Sequence, residues 1–353
     1  MSRTASLACI AVLAFAAPLA AQRGERLFYY VDREDSYNSL VQHIRSIDVL
    51  GPSAYNVDED AVVWGDVDSR VLALAREHGV RVMPLLVNRG FDQAKLTRIL
   101  ADDGARARIV TSLVELCRRH AYSGIQIDFE NLAIQDRDAF TRFYREVADA
   151  LHRAGYQVSV AVVHRPDELA GATAYHEWMM DSWRGGYDLK ALADAGDFIS
   201  VMTYSQHTRR TPPGPQAGFP WTEDVVEYFL RFMPPEKLSL GVALGSQHWY
   251  TSYEERITPE LARSYSAQLS YRWAMGLLER NRAAVQWSEE HQAAYGFFPV
   301  GGTFEWIFLE DARSFRAKVR LMEKHGLRGF SAWVLGPEDP AIWETLAPRR
   351  ADR

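Results

Sequence analysis

Two carboxylates alternate with apolar residues in one short segment, 124–130. Read as a strand, this segment places Gln126, Asp128 and Glu130 on one face and Ile125, Ile127 and Phe129 on the other. Helical patterns on both sides, at 107–120 and 136–154, indicate a strand inside an α/β layer. Carboxylates that face a protein interior lose hydration and repel each other, which costs free energy. Their presence there therefore indicates a function. Paired carboxylates at the end of a buried strand suit acid–base chemistry on a glycosidic bond.

The elements that must position these carboxylates form an alternating series. Helical patterns separate most of eight short β-type runs, at 27–31, 47–51, 80–87, 124–129, 157–163, 198–204, 238–244 and 328–334. This alternation over about 320 residues predicts an α/β fold, a (β/α)8 TIM barrel spanning 22–349. A doubly wound open sheet is the alternative.

The interval between strands seven and eight is too long for a single crossover helix. It contains a helical pattern at 259–283 and β-like fragments at 284–287, 295–298 and 303–308. We therefore expect a small α+β subdomain, 247–310, inserted between strands seven and eight. Its many aromatic residues form a small core for the most part, and one or two of them are candidates for stacking on sugar rings.

The first 21 residues have the pattern of a secretory signal peptide. An apolar run follows Arg3 and ends in small residues at 19–21, and it is shorter than the roughly 20 residues of a membrane-spanning anchor, the competing interpretation. We expect a secreted or periplasmic protein without a membrane segment after cleavage. Cys9 leaves with the signal, so Cys117 has no partner for an internal disulfide.

Charge and motif content exclude several function classes. The net charge of −6 disfavours nucleic acid and anionic membranes as partners. No Gly-rich phosphate loop or G-x-S-x-G motif occurs, so we expect no nucleotide cofactor and no serine nucleophile. His164, His207 and His248 each follow a predicted strand but lack the spacing of a zinc site, so we expect no metal. We expect a monomer whose partner is a carbohydrate polymer.

Four blocks together resemble glycoside hydrolase family 18, in its branch of spore-cortex and peptidoglycan N-acetylglucosaminidases. They are GIQIDFEN at 124–131, FISVMTY at 198–204, PPEKLSLG at 234–241 and GFSAWVLG at 329–336. The match runs from about residue 27 to residue 346. It implies a secreted enzyme that cleaves β-linked N-acetylglucosamine polymers, either peptidoglycan or chitin-type oligomers.

The resemblance also implies roles for individual residues in a substrate-assisted, retaining mechanism. Glu130 would protonate the glycosidic oxygen, while the 2-acetamido oxygen of the substrate attacks the anomeric carbon. Asp128 would orient the acetamido group and stabilise the developing positive charge, and Tyr204 would hydrogen-bond the acetamido carbonyl. The expected substrate-binding residues are Trp333 as the floor beneath the reacting sugar, with Tyr29, Gln126, Met202, His207 and Trp249.

An ionised Asp128 beside Glu130, in a partly desolvated site, would raise the pKa of the acid, which keeps it protonated near neutral pH. Three positions depart from the family pattern, because Ser123, Gln126 and Ser205 stand where the family has Asp. Gln126 can still hold Asp128 by hydrogen bonding, and Ser205 removes a charge from beside the reacting sugar.

Each of these residues also has a purely structural interpretation. Asp128 and Glu130 could form a buried ion pair with Arg165 or Arg209 or cap a helix, while Tyr204 and Trp333 could be ordinary packing residues. At the level of function, the alternatives are a carbohydrate-binding protein of weak or absent activity on the same barrel, and a barrel that acts on a different ligand.

Overall fold

A computed structural model describes residues 24–169, 171–208, 211–251 and 264–346. The predicted signal peptide, 1–21, and Arg209 lie outside the described residues.

Helices and strands alternate along most of this part of the chain. The described strands are β1 (Glu25–Tyr30), β2 (Val49–Val57), β3 (Val63–Gly65), β4 (Arg81–Val82), β5 (Leu85–Asn88), β6 (Gly124–Asp128), β7 (Gln157–Val163), β8 (Phe198–Met202), β9 (Leu238–Ala243), β10 (Ser246–Thr251), β11 (Ser264–Leu269), β12 (Gln286–Ser288), β13 (Ala293–Val300), β14 (Thr303–Leu309) and β15 (Gly329–Trp333). The described α-helices are α1 (Glu34–His43), α2 (Ser69–Glu77), α3 (Gln93–Ala101), α4 (Asp103–His120), α5 (Arg137–Arg153), α6 (Ala174–Met179), α7 (Leu189–Ala195), α8 (Phe219–Phe229), α9 (Tyr271–Arg280) and α10 (Ala312–Lys324).

The main sheet closes into a barrel. Parallel pairs run in the order β1, β2, β5, β6, β7, β8, β9, β15, and β15 pairs with β1 again. The predicted (β/α)8 barrel is therefore confirmed, and the open-sheet alternative is wrong. In such a barrel the carboxyl ends of all eight strands meet at one mouth.

The third barrel strand is interrupted at a proline. Residues 80–87 were expected to form one strand, and the structure has β4 and β5 with Pro84 between them. Proline has no N–H to donate to a β-ladder, while the Pro84 carbonyl still accepts from the amide of Gln126 at 3.0 Å. After the break, β5 runs from Leu85 to Asn88, which lies at the barrel mouth.

The alternation in β6 separates two environments. Ile125, Ile127 and Phe129 belong to the large apolar core between the sheet and the helices. Phe129 stacks on Phe143 of α5, with ring centroids 5.5 Å apart. Because successive side chains of a strand point to opposite faces, Gln126 and Asp128 point into the barrel.

The insertion between the seventh and eighth barrel strands is a separate five-stranded antiparallel sheet. Its order is β11-β10-β14-β13-β12, and α9 packs against it. The predicted helix over 259–283 is too long, since Ser264–Leu269 is a strand and the helix begins at Tyr271. Ser270 ends the strand pattern and caps α9 by accepting from the Trp273 amide at 3.3 Å.

Candidate functional site

A cavity of about 800 Å³ opens at the carboxyl ends of the barrel strands. Asp128 and Glu130 both line it, as do Tyr29, Tyr204 and Trp333. Strands from opposite sides of the barrel supply these residues. The carboxylates, the tyrosines and the tryptophan that the sequence singled out thus share one hollow large enough for sugar rings.

The main chain that carries Glu130 is fixed by two buried side chains. Asn88, at the end of β5, accepts from the Glu130 amide at 2.9 Å and donates to its carbonyl at 2.8 Å. The Tyr187 hydroxyl donates to the Phe129 carbonyl at 2.7 Å. These bonds replace the β-ladder just beyond the end of β6. Asn88 could have been found as a polar residue ending a barrel strand, whereas no local signal marks Tyr187.

Burial dominates the electrostatics of the two carboxyls. Asp128 is 7% exposed, and burial raises its pKa well above the usual range of an aspartate. Burial also raises the pKa of Glu130, and the charge of Asp128 raises it further. The sequence argument named both Asp128 and partial desolvation as causes of the raised pKa, and desolvation is the larger of the two. Of the two carboxyls, only Glu130 has its pKa raised by both burial and a neighbouring charge. We therefore assign to Glu130 the first proton that the pair binds as the pH falls.

No ion pair neutralises these carboxylates within the described residues, and Asp128 Oδ1 is buried without a hydrogen-bond partner. Arg165, the suggested partner, instead lies over the ring of Tyr228, 5.4 Å from its centroid. The unpaired carboxylate oxygen is therefore placed to accept a bond from a ligand.

A chain of neutral hydrogen bonds supports the cavity from below. Tyr29 donates to Gln126 Oε1 at 2.7 Å, and Gln126 Nε2 donates to Ser159 at 2.9 Å. Ser200 lies 3.0 Å from the Tyr29 hydroxyl and donates to Ser331 at 2.5 Å. Gln126 is fully buried and does not line the cavity. The structure thus makes it a residue that holds Tyr29, and not the substrate contact that the sequence suggested.

The remaining expected residues lie in two places. Trp333 packs at a tilt against Tyr29, with centroids 5.4 Å apart, and forms part of the cavity wall with Met202 and His207. Trp249 is elsewhere. It sits in β10 of the insertion and is 1% exposed, so its ring has no face left for a sugar.

Comparison with known proteins places this geometry in a family. The model of "Glycosyl hydrolases family 18" matches residues 26–338. The chain belongs to glycosyl hydrolase family 18. The "Cortical fragment-lytic enzyme" of Bacillus subtilis (strain 168) is 32% identical over 263 residues, which cover 74% of this chain and 58% of that protein. The human "Di-N-acetylchitobiase" is 23% identical over 322 residues, 82% of this chain and 78% of that protein.

Solved structures show the same barrel. A chitinase from Chromobacterium violaceum ATCC 12472 superposes with a TM-score of 0.80 at 24% identity, covering 92% of this chain and 98% of that one. The spore cortex-lytic enzyme SleL of Bacillus megaterium QM B1551 gives 0.79 at 23% identity, covering 93% and 76%. These likenesses establish the fold. The chain spans less than two thirds of the cortical fragment-lytic enzyme of B. subtilis.

The departures from the family 18 motif lie at different depths. Gln126 is inside the barrel, as described above, while Ser205 is exposed at the cavity mouth with a backbone φ of 59°. Gln126 therefore keeps a polar group at its position in the β6 motif. The change to Ser205, in contrast, leaves that part of the cavity wall without an anion.

A second cavity of about 990 Å³ adjoins the first. Trp333 and Gln268 line both, so the two cavities meet at these residues and together form an extended groove on this face. Arg272 and the exposed Trp273 of α9 border its outer end. The insertion thus extends the groove, which suits a polymer better than a monosaccharide.

One cluster among the described residues has the donor atoms of a metal site. Glu223, Glu227 and His325 bring their ligand atoms within 4.8 Å of one another. The Lys324 ammonium, 2.6 Å from Glu223, already neutralises part of the cluster. None of these residues lines the cavity, so they have no part in its chemistry.

Proposed function

We propose that this chain is a glycosidase that hydrolyses β-linked N-acetylglucosamine-containing glycans with retention of configuration. Glu130 donates its proton to the glycosidic oxygen as the acetamido oxygen of the substrate attacks the anomeric carbon, and the bond to the leaving sugar breaks. Water then opens the oxazolinium ion and returns a proton to Glu130. Asp128 orients the acetamido N–H and stabilises the cation.

One observation carries this proposal: Glu130 and Asp128 line the same cavity, and neither has an ion-pair partner among the described residues. Asp128 ends β6 and Glu130 lies two residues beyond it, where burial and the charge of Asp128 raise the pKa of Glu130 and favour its protonated form. Tyr204 lines the same cavity, where burial raises its pKa and keeps its hydroxyl protonated as a donor for the acetamido carbonyl. Trp333 supplies the apolar floor. A placed acid and a placed charge together supply large rate enhancements.

The test is incubation of the purified protein with N-acetylglucosamine oligomers and with digested peptidoglycan. We expect β-anomeric products at early times by proton NMR, because internal attack by the acetamido group retains configuration. A matched oligomer whose cleaved unit lacks the acetamido carbonyl should not be hydrolysed. Products that are α-anomeric at early times would overturn the mechanism.

Gln126 and Ser205 favour a second candidate, a carbohydrate-binding protein with little activity. Each replaces an acidic residue of the family motif by a neutral one. Binding of the oligomers by calorimetry, without any product over days, would identify this case. Retention of Glu130 makes the enzyme the stronger proposal.

The natural substrate we propose is peptidoglycan, acted on outside the cytoplasm by a monomer. The name of the Bacillus subtilis relative and the signal-like segment 1–21 support this. Across the described residues, no helix combines the length and apolarity required to cross a bilayer. N-terminal sequencing of the exported protein should give Gln22 as the first residue, and light scattering should give the mass of one chain.

A further inference from the structure

The cavity wall contains a cation, Arg184, that forms no ion pair with any of the described carboxylates. Arg184 follows α6, is partly buried and lines the cavity. Its Nε atom is buried without a hydrogen-bond partner, and none of the described carboxylates lies within ion-pair distance of its guanidinium. Burial lowers its pKa, against opposing electrostatic contributions from Tyr175 and Asp167. A buried, unpaired cation is costly, so an anion that binds beside it recovers much of that cost.

A buried histidine on the same wall is also unsatisfied. His164 is 5% exposed, lines the cavity and has no partner for Nδ1. Trp221 fixes its ring by an edge-to-face contact with centroids 4.6 Å apart. Burial and the charge of Arg184 hold its pKa well below the usual value, so the ring is neutral. A neutral imidazole with Nδ1–H can donate a second hydrogen bond to an anion that Arg184 attracts.

Aromatic rings border this end of the cavity. Trp178 lies 5.9 Å from Tyr175 and 6.3 Å from Trp183, measured between ring centroids, and all three line the cavity. Trp178 is 39% exposed. Apolar ring faces beside a cation fit a ligand that has both an apolar sugar face and a negative substituent.

The topology assigns this wall to the leaving-group side. Trp333, the floor of the reacting sugar, ends the eighth barrel strand, and Glu130 follows the fourth, on the opposite side of the ring of strands. Arg184 lies in the connection after the fifth strand, which neighbours the strand of the acid and is three strands away from the strand of Trp333. A general acid lies beside the bond that it breaks, so we assign a wall that neighbours the acid and is separate from the floor of the reacting sugar to the leaving sugar.

We propose that Arg184, with His164, binds a carboxylate carried by the leaving sugar, and so selects muramic acid over N-acetylglucosamine at that position. Muramic acid bears a lactyl ether whose carboxylate is free or linked to a peptide with carboxylates of its own, whereas chitin has neither. The planar guanidinium can bind a carboxylate through two parallel hydrogen bonds. This inference rests on the proposed glycosidase function and specifies its substrate.

The experiment compares kcat/KM on three substrates: N-acetylglucosamine oligomers, peptide-free glycan strands and peptide-bearing strands. In Arg184→Met we expect a loss of roughly 10- to 100-fold on the carboxylate-bearing substrates, the range for a hydrogen bond to a charged group, and no change on the neutral oligomers. Arg184→Lys should recover part of the loss. Arg89→Met is the matched control, because it removes an exposed charge near the same mouth from a residue that does not line the cavity.

The outcomes separate the possibilities. A loss on peptide-free strands identifies the lactyl carboxylate, and a loss confined to peptide-bearing strands identifies the peptide; either supports the proposal. Equal loss on neutral oligomers, or an equal effect in Arg89→Met, would mean a packing or long-range charge effect and would overturn it. No change in Arg184→Met also overturns it while leaving the glycosidase intact. If wild-type protein cleaves no substrate, the proposed function itself fails.

Discussion

Replacing Glu130 by Gln should abolish catalysis and yet stabilise the fold at alkaline pH. The amide has the shape of the protonated acid but cannot transfer a proton to the glycosidic oxygen. Loss of a placed general acid typically costs about 10²–10⁴-fold in rate, which corresponds to roughly 3–5 kcal/mol of transition-state stabilisation. A protein damaged in its folding would also lose activity, so the stability of the variant decides the interpretation.

The sign of the stability change follows from the raised pKa of Glu130. Burial and the charge of Asp128 place this pKa above the value in the unfolded chain. The folded protein therefore holds a proton that the unfolded chain releases. Stability is fully present below the unfolded pKa and falls by about 1.4 kcal/mol for each pH unit between the unfolded and folded values. Glu130→Gln removes this titration and the repulsion of Asp128.

The assay is urea unfolding at pH 4 and pH 8, alongside hydrolysis of N-acetylglucosamine oligomers. Relative to wild type, Glu130→Gln should be nearly unchanged in stability at pH 4 and more stable at pH 8. Glu115→Gln, at an exposed position of α4, is the control and should show no such difference. A variant that is less stable than wild type at pH 8, or that retains more than a tenth of the activity, would refute the assignment of Glu130 as a buried acid.

Three further changes test the surroundings of the acid. Asp128→Asn should lower kcat by about 10²–10³-fold, the loss on removing one placed electrostatic group. It should also move the alkaline limb of the pH–rate profile to lower pH, because the charge that raises the pKa of Glu130 is gone. An alkaline limb at the wild-type pH would contradict this prediction. Asn88→Ala removes the partners of the Glu130 amide and carbonyl, so it should lower the free energy of unfolding by about 1–3 kcal/mol. It should also lower kcat at an unchanged KM. A change in KM alone would contradict a positioning role for Asn88. Trp249→Ala should cost about 3–5 kcal/mol of stability with unchanged KM at low temperature, because this ring is buried in the insertion; a raised KM would return it to the binding site.

The fold and the two carboxylates were predictable because both follow from periodicity. Alternation in 124–130 fixes which side chains face the barrel interior, and eight strands separated by helices leave few other topologies. The same reasoning gave a wrong prediction where the spacing of apolar residues does not distinguish a helix from a strand. Residues 264–269 alternate between apolar and small polar side chains, yet they lie within a longer helical pattern, and pairing with β10 made them a strand.

The contacts that fix the Glu130 segment could not be read from the sequence, although Asn88 itself could have been singled out as a polar residue that ends a strand. Asn88 contacts Glu130 from 42 residues away, and Tyr187 contacts the same segment from 58 residues away. Arg184 becomes an unpaired cation only because the connection after β7 folds back over the cavity. Trp249 failed in the opposite way, since aromatic density cannot distinguish a ring in a sheet core from one in a groove.

The amide at position 126 limits where a proton can reside in this barrel. Tyr29, Gln126 and Ser159 are joined by hydrogen bonds between neutral groups, which neither release nor accept a proton near neutral pH. Gln126 uses its side-chain oxygen for the bond from Tyr29 and its side-chain nitrogen for the bond to Ser159, both below the cavity floor. Among the described carboxyls of this site, Asp128 therefore has only Glu130 with which to share a proton, and we propose that Glu130, whose pKa Asp128 raises, is the acid that reaches the substrate. A family 18 site with an amide in place of the carboxylate at position 126 can therefore still keep a protonated acid. The proton then has a single route, between Asp128 and Glu130.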